Sequence, residues 1–185
     1  MKLSLRFLSV LLALIMMFSL ISCAQEETDA PEGFLLAQNE GADYYFYYPN
    51  HWLLDRCDAG MTSAFVSEND FSNVSVTAFT ASLQYPSLEN YVEEFYLKQF
   101  SDNFNQLEVD RNQDGSLKRN VLKIDGCDAI SFTYSAVFGG ESYTFRAWLI
   151  SYNGYIYTVL YTAKAELYEN HLPYAEQIAQ NIRFK

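Results

Sequence analysis

The chain has 185 residues, half of them hydrophobic, with 12 basic and 23 acidic side chains and a formal net charge of −11. Lys2 and Arg6 precede every acidic residue, so the stretch from Cys23 onward holds ten basic and 23 acidic residues, a charge of −13. Nucleic acid and anionic lipid headgroups repel such a surface, which excludes nucleic-acid binding and requires membrane association to come from something other than charge.

Residues 1–22 have the three parts of a secretory signal: Lys2 and Arg6, the short apolar run Phe7 to Ile21, and small residues before a cut. That run is shorter than the roughly 20 residues a spanning helix needs, and no later segment approaches that length, so no transmembrane helix is expected after cleavage. Leu20-Ile21-Ser22-Cys23 resembles the bacterial lipobox. The resemblance implies that the Cys23 thiol receives a diacylglyceryl group and that Cys23 becomes the first residue. Two acyl chains supply the double hydrophobic signal that stable anchoring requires. The expected location is therefore extracytoplasmic, lipid-anchored to the membrane of a bacterial cell envelope.

Residues 23–32 are polar and acidic and read as a tether. Residues 33–185 read as one α+β domain, with no internal repeat and no second boundary. Phe34 to Gln38 and the aromatic Asp43 to Tyr48 are the first strands, the second stopped by Pro49. Leu53 to Cys57, Ser63 to Ser67 and Asn73 to Thr80 follow. In the last of these Val74, Val76 and Ala78 alternate with Ser75, Thr77 and Phe79, the period-two pattern of a strand.

Pro86-Ser87 opens a helix with Ser87 as N-cap and Glu89 in its first turn. Leu88, Tyr91, Val92, Phe95, Phe100 and Phe104 recur at helical spacing and form its apolar stripe. Five strands come next: Gln106 to Arg111, Leu117 to Ile124, Ala129 to Phe138, Ser142 to Tyr152 and Tyr155 to Ala163. Asp114-Gly115, Asp125-Gly126, Gly139-Gly140 and Asn153-Gly154 link them, and dipeptides that allow positive φ predict an antiparallel meander. Ala165 to Ile182 is helical by pattern. Pro173 divides it into a short turn and a second helix, because a residue before proline is pushed out of the helical region. Arg183-Phe184-Lys185 closes as a short strand.

Four stretches together resemble the PsbP-like fold: Phe46-Tyr47-Tyr48-Pro49-Asn50-His51-Trp52, Ser87-Leu88-Glu89-Asn90-Tyr91, Ile124-Asp125-Gly126-Cys127-Asp128-Ala129, and Gly154 to Val159 with the closing Ile178 to Phe184. The resemblance spans Phe34 to Lys185. It implies an α/β/α sandwich on a mainly antiparallel central sheet flanked by helices. Trp52 and Pro49 are scaffold in this reading, and no photosynthetic role is carried over.

Motifs for chemistry are sparse. Gly-x-Ser-x-Gly, His-Glu-x-x-His, Cys-x-x-Cys and phosphate-binding glycine loops do not occur. His51 lies in a turn and His171 beside a proline, and neither has the neighbours of a general base or of a zinc site. Asp110 to Leu117 fits the first half of a calcium loop, with Val121 where the bidentate Glu belongs, and a solvated hairpin is the simpler reading. Cys57 and Cys127 are left as either a disulfide, which export permits, or two buried thiols. Fifteen tyrosines, several in runs, suit either a two-sided sheet under helices or a stacking surface.

The expected function is a lipid-anchored binding or accessory module, not an enzyme, acting on a protein or envelope component without metal or cofactor. A small-ligand or calcium-binding carrier is the alternative.

Overall fold

The computed structural model describes residues 30–58, 60–80, 85 and 87–185. The signal segment, Cys23 and most of the tether lie outside these residues. Eight strands form one antiparallel sheet. Its order is β3 (Leu53–Asp58), β4 (Met61–Ser67), β5 (Asp70–Thr80), β10 (Tyr155–Lys164), β9 (Glu141–Tyr152) and β8 (Cys127–Phe138). On the outer edge of β8 lie both β6 (Asn105–Val109) and β7 (Arg119–Ile124). A second sheet joins β1 (Phe34–Ala37), β2 (Tyr44–Pro49) and β11 (Arg183–Phe184).

The large sheet is buried on both faces, and strand alternation sorts its side chains between two cores. Trp148, Ile150, Tyr157, Val159, Tyr161, Val74 and Val76 belong to one core, shared with α3 (Tyr168–Gln180) and the small sheet. Ile130, Phe132, Tyr134, Phe145, Ala147 and Leu149 point to the other, under the mid-chain helical segment. The chain thus folds as an α+β structure of three layers. Each large apolar side chain taken from water into either core stabilises it by about 1.5–3 kcal/mol.

The mid-chain segment runs through α1 (Leu88–Tyr91), a π-helical turn over Val92–Tyr96, and α2 (Leu97–Asn103). Ser87 caps it: its hydroxyl accepts the Asn90 N–H at 3.2 Å. The π turn changes which face is buried. Tyr91 and Val92 are followed five residues later by buried Tyr96 and Leu97, whereas Phe95, Phe100 and Phe104, which the regular spacing places in the stripe, are only partly buried. A wide turn of i→i+5 bonds makes residues five apart share a face.

Two expectations are corrected. β6 and β7 do not form a meander hairpin: both run antiparallel to β8, β6 opposite Tyr134–Val137 and β7 opposite Cys127–Phe132, as one interrupted edge strand. The excursion between them closes on a single bridge, Arg111 to Leu117, and is strapped to the helix by Arg111 on Glu93 and Arg119 on Glu89, both at 2.8 Å. Pro173 does not divide the last helix, which continues from Tyr168 to Gln180. Pro173 sits in the second turn on the exposed side, so the one carbonyl it leaves unbonded, that of exposed Glu169, faces water. Ala175 and Ala179, both fully buried, let this helix lie close against the sheet.

Candidate functional site

At one end of the large sheet β10 finishes, β5 and β9 begin, and the hairpin Gly139-Gly140 turns between β8 and β9. α2 ends over the same place. Between them opens a cavity of about 780 Å³. Phe100 of α2 and Phe104 just past its end, Phe145 and Tyr143 of β9, Leu160 of β10 and Phe71 of β5 supply most of its apolar wall. The rings support one another: Phe100 stacks on Phe104 at 5.5 Å and Phe104 meets Phe145 at 5.9 Å and Phe138 at 6.0 Å. Phe71 and Phe138 stand at the mouth, 73% and 62% exposed. Sustained exposure of two phenylalanines beside an apolar cavity marks an interaction site.

Polar residues line one side. Asp70 is engaged with His171, whose Nε2 lies 2.8 Å from Oδ2. Burial raises the Asp70 carboxyl, but hydrogen bonding at Ser72, whose backbone N–H donates to Asp70 Oδ1 at 2.9 Å, and the His171 ring outweigh it and leave the group below its ordinary value. Lys164 pairs with Glu141 at 3.3 Å.

The lowered Asp70 value gives a testable pH dependence. A carboxylate favoured by the native state contributes stability above its ordinary value of 3.8, and that contribution disappears as pH falls through the lower native value. Asp70→Asn is expected to flatten the fall in thermal midpoint below about pH 4. An acid limb equally steep in the variant would show that the Asp70–His171 contact contributes nothing.

The residues singled out in the sequence do not converge on this cavity. His51 packs against Tyr174 at 5.0 Å, and His171 against Trp52 at 6.1 Å, so both join the packing beside α3. In the Asp110 to Leu117 excursion the oxygens bond within the loop: Asp114 accepts from the Ser116 N–H at 3.0 Å and hydroxyl at 2.6 Å. The Arg111 guanidinium donates to the Gly115 carbonyl at 3.0 Å, placing a positive charge inside the calcium-like turn. Among the described residues no group of three or more His, Cys, Asp or Glu is arranged to hold a metal ion.

Cys57 and Cys127 are free thiols. Cys57 lies on edge strand β3 and Cys127 at the start of β8, five strand positions apart across the sheet. At about 4.8 Å per position the path is roughly 24 Å, whereas a disulfide needs α-carbons within about 7 Å. The bridge reading is corrected accordingly. Burial, then the neighbouring Asp58 and Asp125 respectively, push both thiols up.

The tyrosines form an internal scaffold. Tyr96 and Tyr134 bond through their hydroxyls at 3.1 Å in one core, and in the other Tyr161 donates to the Tyr168 carbonyl at 2.8 Å and Tyr157 to Asp43. Burial drives the Tyr157 hydroxyl upward, and the Asp43 carboxylate adds to it.

The cavity-lining set was not legible as a set. Its one sequence signal is the placement of Phe71 directly after Asn69-Asp70 and of Phe138 directly before Gly139-Gly140, where turn-flanking positions would ordinarily be polar.

No protein-family model matches the chain, and no curated protein matches it in sequence. Solved structures do match in fold. The solution structure of cyanobacterial PsbP (CyanoP) from Synechocystis sp. PCC 6803 aligns with a TM-score of 0.58 and 15% identity over 89% of this chain and 98% of that one. The Saccharomyces cerevisiae Ran-binding protein Mog1p aligns at 0.57 and 9% identity, over 82% and 95%. A Pseudomonas aeruginosa protein of unknown function, PA94, aligns at 0.55 and 16%, over 80% and 94%. At these identities the likeness is one of architecture: the chain has the α+β fold shared by the PsbP-like and Mog1 proteins.

Proposed function

We propose that this chain is a non-catalytic binding module of the bacterial cell envelope, held on the extracytoplasmic side of the membrane by lipid on Cys23, with the aromatic cavity as its binding site. The observation that carries the reading is the cavity itself: a large apolar wall with two exposed phenylalanines at its mouth. Its charged neighbours Asp70 and Lys164 are engaged with His171 and Glu141, so neither is offered to a reacting group. Binding to a protein partner, as in the Ran-binding protein of the same fold, is one use of such a surface.

The test is site-specific photocrosslinking of the lipidated chain in its own membranes. A photoreactive residue at Phe71 or Phe138 is expected to trap a discrete species, protein or lipid. The same group at Val121, equally exposed on the far edge strand β7, is expected to trap none. Equal trapping at all three positions, or none at any, would remove the cavity as the binding site.

A further inference from the structure

The cavity and the point from which the tether leaves are at the same end of the molecule. β1 starts opposite Pro49, and the Asn50 N–H donates to the Gly33 carbonyl at 2.9 Å. The turn that follows carries Trp52, whose ring meets His171, and His171 bonds Asp70 on the cavity wall. A short chain of contacts therefore joins the first described residues to the cavity. Seven residues, Cys23 to Asp29, precede Ala30, and fully extended they reach at most about 25 Å. Lipid on Cys23 would hold this end, and not the Tyr155 end, within that distance of the bilayer.

Several exposed apolar side chains, Leu53, Leu54, Phe71, Phe138 and Tyr174, stand toward the cavity end, whereas Phe79 and Tyr155 are exposed at the opposite end of the sheet and Val121 on β7. Leu53 and Leu54 begin β3 opposite Phe65 and Ala64, and Tyr174 flanks Trp52 and His51. A solvent-facing crown of this kind is costly to a freestanding domain, but it suits a surface held against the headgroup and acyl boundary.

Building on the lipid-anchored binding reading above, we infer that the cavity takes one acyl chain of a bilayer lipid with no net charge, drawn from the membrane that anchors the protein. The apolar wall fits a hydrocarbon chain, and a volume of 780 Å³ falls in the range of about 300–1,000 Å³ that accommodates one small ligand. Charge sets the headgroup. Asp70 and Glu166 line the cavity, and its one lining cation among the described residues, Lys164, is paired with Glu141, so anionic headgroups are repelled and zwitterionic ones tolerated.

The experiment places the purified processed, lipidated protein in phosphatidylcholine vesicles doped with a phosphatidylcholine whose acyl chain carries a diazirine. After irradiation, adducts are expected on the segments Phe100–Phe104 and Tyr143–Phe145. The double exchange Phe71→Ser with Phe138→Ser should lower them roughly tenfold by removing the apolar mouth. Both side chains are exposed, so the thermal midpoint should hold. Replacing the carrier lipid by phosphatidylglycerol should also reduce adducts. Adducts spread evenly over the surface, or concentrated at the Tyr155 end, would overturn the inference, as would a yield unchanged by the double exchange. Adducts absent from the lipidated chain but present in Cys23→Ala would assign the cavity to the protein's own acyl chains and overturn the bilayer as source. A discrete protein trapped at Phe71, with Cys23 acylated and no lipid adduct, would end this inference while leaving the proposed function standing.

Discussion

Cys23→Ala is expected to abolish incorporation of labelled fatty acid and to leave the precursor uncleaved, 22 residues longer than the processed chain. The effect should be all-or-none, because the thiol is the only atom in the lipobox-like tetrapeptide that can carry a thioether-linked diacylglyceryl group. From Cys23 onward the charge is −13, and no helix of the described residues is long and apolar enough to cross a membrane. One acyl chain alone gives marginal, reversible attachment, and two give stable anchoring. Metabolic labelling and intact mass of the membrane fraction measure both consequences. A variant that is processed normally and retained normally, with no acyl label in the parent chain, would overturn the anchor. Cys57→Ala and Cys127→Ala serve as controls, since both thiols are partly buried and raised above their ordinary values by burial, and neither should change labelling.

How much of this molecule was legible in advance depends on whether the information is local. The Asn153-Gly154 hairpin was legible because its backbone demands those residues: Asn153 has φ 47° and Gly154 φ 78°, which Asn and Gly adopt with little strain. The strands of the large sheet were legible from alternation, and the Ser87 cap from its position before an apolar stripe. The course of β6 and β7 was not. Whether two strands pair with each other or line up on a third is decided by β8, which is twelve residues long and offers room for both on one edge. The π turn escaped for a related reason, since Val92–Tyr96 has no glycine or proline to mark it, and only the fit of Tyr96 against Phe132 and Tyr134 selects it. The aromatic cavity depends on segments from four parts of the chain meeting at one sheet end, and no window of sequence contains that juxtaposition.

Trp52 offers the sharpest test of how the two sheets are held together. It is 3% exposed, follows the Pro49 turn with its N–H on the Pro49 carbonyl at 2.9 Å, and packs against His171 and Tyr174 of α3. Trp52→Ala removes the whole indole from this junction and leaves a cavity that the rigid turn and helix cannot close, at a cost of about 3–5 kcal/mol. For a domain of this size that lowers the thermal midpoint by roughly 10 °C or more. Trp52→Phe should behave differently. The indole N–H is buried and meets no acceptor among the described residues. Burial of an unsatisfied donor carries a penalty of about 1–3 kcal/mol, which phenylalanine does not incur. Relief of that penalty offsets much of the lost ring area, so the net cost of the phenylalanine exchange is expected to be about 1 kcal/mol or less. Urea unfolding of the three chains followed by circular dichroism separates the cases. Equal losses for Trp52→Phe and Trp52→Ala would overturn this account, because an aromatic ring kept between the Pro49 turn and α3 would then recover none of the lost stability.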